Sequence, residues 1–78
     1  MDDKERLIST LEKKGLWIDI CDGRVRIFAT RRRDGTYNVW DKDSNLGIVI
    51  RDCYFQNLQD MIQYMESRAP LDEWETLG

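Results

Sequence analysis

Leu7, Ile8 and Leu11 recur at helical spacing and make a narrow apolar stripe. Asp2 or Asp3 can cap such a helix, and acids in its first turn suit the helix dipole. Lys13 and Lys14 suit its C-terminal end, and Gly15 is the expected left-handed stop. The pattern therefore predicts a helix over 3–14. The period then drops from 3.6 to two. Leu16-Trp17-Ile18-Asp19-Ile20-Cys21 alternates, Asp22-Gly23 follows, and Arg24-Val25-Arg26-Ile27-Phe28-Ala29-Thr30 alternates again. Asp-Gly between alternating runs is the strongest short hairpin signal, because both turn positions require positive φ. Strands over 16–21 and 24–31 follow. A two-residue turn sets Cys21 opposite Arg24, Asp19 opposite Arg26 and Trp17 opposite Phe28 on one face. Ile20 with Val25, Ile18 with Ile27 and Leu16 with Ala29 then form an aliphatic face, the expected core.

A second hairpin centres on Asp34-Gly35, and its register has two readings. A three-residue loop with Gly35 in the left-handed position sets Ala29 opposite Val39 and Phe28 opposite Trp40. Trp17, Phe28 and Trp40 then line up across three strands. A two-residue turn instead turns Trp40 into the core, because a slip of one residue inverts every side chain. The bulged loop is the favoured reading, with a strand over 36–41. Asp41-Lys42-Asp43-Ser44-Asn45 is a polar turn, and Leu46-Gly47-Ile48-Val49-Ile50 predicts a fourth strand over 46–50. Asp52 can cap a second helix over 53–67, striped by Phe55, Leu58, Met61, Ile62 and Met65. Ala69-Pro70 ends it and opens an acidic tail over 69–78. The aliphatic sheet face needs covering, and two amphipathic helices can cover it. The expected architecture is a two-layer α+β domain. An antiparallel three- to four-stranded meander packs on an N-terminal and a C-terminal helix, in the order α-β-β-β-(β)-α.

Length allows one domain: 78 residues, with an expected stability of about 4–12 kcal/mol. The sequence contains no His, which removes imidazole bases, Ser-His-Asp triads and His-ligated zinc. Two layers of this size rarely form a concave pocket, so catalysis, a cofactor and a metal are not expected. Asp41-x-Asp43-x-Asn45 has the opening spacing of a calcium loop. It carries Leu46 where that loop needs Gly and Asp52 where it needs Glu, and it reads as a turn. Cys21 and Cys53 stand 32 residues apart and read as free, buried or half-buried thiols of a cytoplasmic protein. No run approaches the ~20 apolar residues of a membrane span, and no membrane partner is expected.

Net charge is −3, and it is segregated. Five Arg and no acid lie between Arg24 and Arg33. From Asp60 onward there are five acids against one base, Arg68. Two binding surfaces result. One is the acidic end: Asp60, Glu66, Asp72, Glu73 and Glu75 around an anchor, Trp74, which suits a protein partner and can imitate phosphates. The other joins Trp17, Arg24, Arg26 and Phe28 with the hairpin tip Arg31, Arg32 and Arg33. Interleaved rings and guanidinium groups of that kind hold single-stranded nucleic acid by stacking and charge. The bland alternatives are a solvated acidic face and an aromatic row covered by Leu71 and Trp74 of the tail. A homodimer through sheet edges or the aromatic face is a third possibility.

Helix, three strands and helix is the element order of a double-stranded RNA-binding domain. That family places a Lys cluster where this chain has the uncharged Cys53-Tyr54-Phe55-Gln56-Asn57. In size, acidity and layout the chain resembles small phage-encoded inhibitors, including the anti-CRISPR proteins of type II-A systems. That resemblance implies a non-catalytic protein that occupies the nucleic-acid-binding surface of a host defence protein. The Arg31–Arg33 run departs from an acidic DNA mimic.

Overall fold

The computed structural model describes residues 3–21 and 23–77. Two helices cover one face of a five-stranded antiparallel sheet with strand order β4-β3-β2-β1-β5. The elements are α1 (Asp3–Lys13), β1 (Leu16–Ile20), β2 (Val25–Arg31), β3 (Tyr37–Asp43), β4 (Ile48–Phe55), α2 (Leu58–Glu66), a 3-10 turn (Leu71–Glu73) and β5 (Glu75–Thr76). This is the expected α+β layout with one strand more. No helix among the described residues is long and apolar enough to cross a membrane.

α1 stops where the sequence predicts. Lys14 and Gly15 both donate to the Thr10 carbonyl, and Gly15 turns the chain at φ +79°. Asp2, expected as a cap, lies outside the described residues, as does the side chain of Asp3. Both hairpin registers are those of the alternation. β1 pairs with β2 as Leu16↔Ala29, Trp17↔Phe28, Ile18↔Ile27, Asp19↔Arg26 and Ile20↔Val25. The first strand ends one residue early. Cys21 enters the left-handed region at φ +57° and its carbonyl accepts from Arg24, closing the turn. Asp22, expected in that turn, lies outside the described residues. β2 pairs with β3 as Phe28↔Trp40 and Ala29↔Val39, the bulged-loop register. Arg32 donates to the Thr36 carbonyl across that loop, and Gly35 sits at φ +88°.

Asp34 builds the loop from within. Its Oδ1 accepts from the Thr36 hydroxyl at 2.6 Å and the Thr36 amide at 3.0 Å. Those bonds, the hydroxyl first, hold its carboxyl below the ordinary 3.8. A folded-state value below the unfolded one stabilises the protein above the unfolded value, and that contribution is lost as pH falls through the folded one. An NMR titration should show Asp34 titrating below 3.8, with Thr36→Val moving it upward. A value at or above 3.8 in the wild type contradicts the loop geometry.

Beyond β3 the structure departs from expectation. β3 runs on to Asp43, whose Oδ1 accepts from the amides of Asn45 and Leu46 and so forms the turn. Leu46 and Gly47, the first two residues of the strand predicted over 46–50, lie in that turn instead. β4 starts at Ile48 and continues through Phe55, across the expected cap Asp52 and three residues into the predicted helix 53–67. Asp52 is therefore a strand residue opposite Trp40. The cap of α2 is Asn57, whose Oδ1 accepts from the Asp60 amide at 2.9 Å. The physical reason is that Arg51, Cys53 and Phe55 face the helices while Asp52 and Tyr54 face away, a period-two pattern of strand-forming residues. A bulge at Ile50 restores this alternation after Val49.

The core lies between helices and sheet. Ile18, Ile27, Val39, Met61 and Met65 are fully buried, with Leu11, Leu16, Ala29, Tyr37, Leu58 and Ala69 around them. Asp41 is buried among them at 3% exposure. Its Oδ2 accepts from Arg68 Nη2 at 3.2 Å, and Arg68 Nη1 donates to the Tyr64 hydroxyl. Asp41 Oδ1 has no hydrogen-bond partner among the described residues. This pair ties the segment after α2 to the middle of β3. The calcium-like spacing is broken by the same feature, because Asp41 is committed to Arg68. Among the described residues no three carboxylate or thiol groups gather as a metal site.

Candidate functional site

The sheet face opposite the helices bears the row that the pairing arithmetic places there. Across β5, β1, β2, β3 and β4 it reads Glu75, Trp17, Phe28, Trp40 and Asp52. The Phe28 and Trp40 rings stack with centroids 5.3 Å apart and planes 17° from parallel. The Arg26 guanidinium lies 4.3 Å from the Trp17 ring centroid, and its Nε donates to Asp19 Oδ1 at 2.7 Å. All three rings are half-buried by one another and by these neighbours. The tail does not fold over them. It passes along the β1 edge, where Glu75 and Thr76 pair with Trp17 and Leu16 and Leu77 donates to the Gly15 carbonyl. Gly78, the end of the predicted tail, lies outside the described residues.

Beside Trp40 lies a shallow depression of about 210 Å³ lined by Asn38, Trp40, Val49 and Asp52. Asn38 Nδ2 donates to Asp52 Oδ1 at 2.6 Å and to the Cys53 carbonyl, and the Tyr54 hydroxyl donates to Asp52 Oδ2 at 3.3 Å. The carboxylate is thus held in place. It forms no ion pair among the described residues. Sequence reasoning missed Asn38, Asp52 and Tyr54, because it placed residues 52–54 outside the sheet.

The arginines do not act as one group. Arg26 is on the open face but paired with Asp19. Arg24 is exposed beside the first turn. Arg31 shares the helix-side face with Ala29 and Ile27, and it forms an ion pair with Glu12 of α1. Arg31, expected at the hairpin tip, is the last residue of β2, and strand alternation sends it to the face opposite Phe28. Arg32 lies 5.1 Å from the Tyr54 ring centroid, and Arg33 is exposed at the tip. A second shallow depression is lined by Glu12, Arg31, Arg32 and Arg33.

The acidic set is similarly dispersed. Asp60 stands in the first turn of α2, bonded to Asn57. Glu66 stands at the other end, about 9 Å along the axis and on a different side of the helix. Asp72 and Glu73 are exposed on the 3-10 turn. Trp74 turns inward, packs against the core and donates from Nε1 to the Ala69 carbonyl at 3.1 Å. Glu75 alone of these joins the aromatic row. Cys21 and Cys53 are free thiols, but Cys21 is exposed, against the expectation of burial.

Comparison with known proteins finds no matching protein-family model, no matching curated protein and no matching solved structure.

Proposed function

We propose that this protein is a non-catalytic protein-binding module, of the inhibitor or adaptor kind, whose contact surface is the open face of the sheet. One observation carries the reading: a row of three large rings crosses the centre of the face, and among the described residues both helices pack on the other face and the tail runs along the β1 edge. Rings and Arg at the centre of a patch, with polar groups at its rim, are the usual composition of a protein interface. The charges favour protein over nucleic acid. Asp19 offsets Arg26, Glu75 and Asp52 stand at the two ends of the row, and Arg31 is turned to Glu12 on the other side. A strand of phosphates would meet carboxylates at both ends of that row. The acidic-mimic form of the reading has less support, since its anchor Trp74 is built into the core.

The test separates the two surfaces and the two ligand classes. Trp17→Ala with Trp40→Ala should abolish capture of a partner from lysate, and nuclease treatment should leave wild-type capture unchanged. Asp72→Lys with Glu73→Lys should alter capture by less than about threefold, as expected for rim charges. Loss of capture in the second variant alone would return the site to the acidic end. Oligonucleotide binding that weakens steeply with salt would favour the nucleic-acid reading.

A further inference from the structure

β4 is an edge of the sheet, hydrogen-bonded only to β3 among the described residues. The opposite edge ends in β5, a strand of two residues that offers little to pair with. β4 has eight, and the apolar residues at its start are open to water: Ile48 is 52% exposed, Val49 55% and Ile50 52%, with Leu46 before them at 69%. Exposed aliphatics on an unpaired strand attract further strands, and native edges are usually blunted against this. Here the blunting is selective. A bulge interrupts the strand at Ile50, and Arg51 and Asp52 follow it on opposite faces. Neither charge forms an ion pair among the described residues.

We propose that this edge receives an extended segment of the protein partner as an added antiparallel strand. The segment places apolar residues beside Ile48–Ile50, an acidic residue beside Arg51 and a basic one beside Asp52. The proposal rests on the protein-binding reading above and names the partner chemistry. Backbone groups supply the attachment, and alternate side chains supply the selection. The basic residue enters the depression between Trp40, Val49 and Asp52, where the carboxylate is already fixed by Asn38 and Tyr54. A second copy of the chain fits poorly. Two-fold antiparallel pairing keeps both helix layers on one side, so inward residues meet inward ones. The registers of greatest overlap then set Arg51 against Arg51 or Asp52 against Asp52, like charges directly opposite.

The experiment uses the intact protein and two synthetic peptides. Val-Thr-Val-Lys-Glu-Val-Ile-Val, antiparallel to β4, sets Lys beside Asp52 and Glu beside Arg51. Val-Thr-Val-Glu-Lys-Val-Ile-Val exchanges the two charges. The first should bind, slow amide exchange within Ile48–Phe55 and bind about tenfold more tightly than the second. Asp52→Lys should erase that preference. Equal affinity of the two peptides, binding without protection of β4, or no binding by either would overturn the proposal. So would a dimer in sedimentation equilibrium that either peptide dissolves, since the edge would then belong to a second copy. Failure of the peptides with a surviving effect of Trp17→Ala and Trp40→Ala on capture removes the edge and keeps the face. Success of the peptides without that effect does the reverse.

Discussion

Replacing Arg68 with alanine is expected to destabilise the protein by about 3 kcal/mol, a large share of the ~4–12 kcal/mol available to a chain of this length. The reason lies in what is left behind. Asp41 is buried, and among the described residues its Oδ1 has no hydrogen-bond partner and Arg68 supplies its one ion pair. Removing one member of such a pair strands a charge away from water, which costs more than the pair itself contributes. The figure is set at the low end of the usual range because Arg68 is 26% exposed and Arg51 stands opposite Asp41 on β4. Arg51 is held protonated beyond the ordinary guanidinium value, first by Tyr64 and then by the charges of Tyr64 and Asp41. Urea unfolding should therefore show a much lower midpoint for Arg68→Ala with an unchanged slope. The double variant Asp41→Val with Arg68→Met should recover most of the loss, because an apolar pair of similar volume needs no compensation. A single variant within about 0.5 kcal/mol of wild type would show that Asp41 is solvated.

Gly15→Ala should cost about 2–4 kcal/mol. Two effects add at this position. The backbone is left-handed at φ +79°, where a Cβ is strained. That Cβ would also sit 3.0 Å from the Ala29 carbonyl oxygen, from Leu77 Cδ1 and from Thr30 Cγ2. The first of these is backbone and cannot swing aside. Gly35 provides the control, since it has φ +88° and open space where its Cβ would stand. Gly35→Ala should therefore cost only the conformational part, about 1–2 kcal/mol. Thermal or urea unfolding of both variants reads the difference as crowding. The same substitution should speed amide exchange at Leu77, whose N–H is bonded to the Gly15 carbonyl. Equal losses at the two glycines would mean that β5 does not close against Gly15.

These two sites differ in how far the sequence reveals them. Gly15 follows a lysine pair at the end of an apolar helical stripe, and its left-handed role is legible from that pattern alone. The strain of a side chain there is also legible. The crowding is not, because it depends on a tail strand of two residues too short to show a period. The Asp41–Arg68 pair joins residues 27 positions apart. Its aspartate sits in a run that reads as a polar turn, so burial came as a departure from composition. Both hairpin registers were legible because Asp-Gly turns and strict alternation leave few choices, and with them came the row Trp17, Phe28 and Trp40. The start of α2 was not. Phe55 continues the helical spacing of Leu58, Met61 and Met65, yet it reaches the core from a strand and meets Tyr64 at 5.3 Å between ring centroids. One side chain satisfies both periods there, and local pattern cannot choose between them. Alternation with Val25, Ile27 and Ala29 puts Arg31 on the helix side of the sheet, whereas its ion pair with Glu12 of α1 depends on packing that local pattern does not show.

The open face is best tested by a photo-crosslinking residue at position 28, the centre of the ring row, compared with the same residue at position 66 on α2. Phe28 should give a single protein adduct in lysate that survives nuclease, and Glu66 should not give it. An adduct of equal yield at position 66, or one at position 28 that disappears with nuclease, would contradict a protein-binding sheet face.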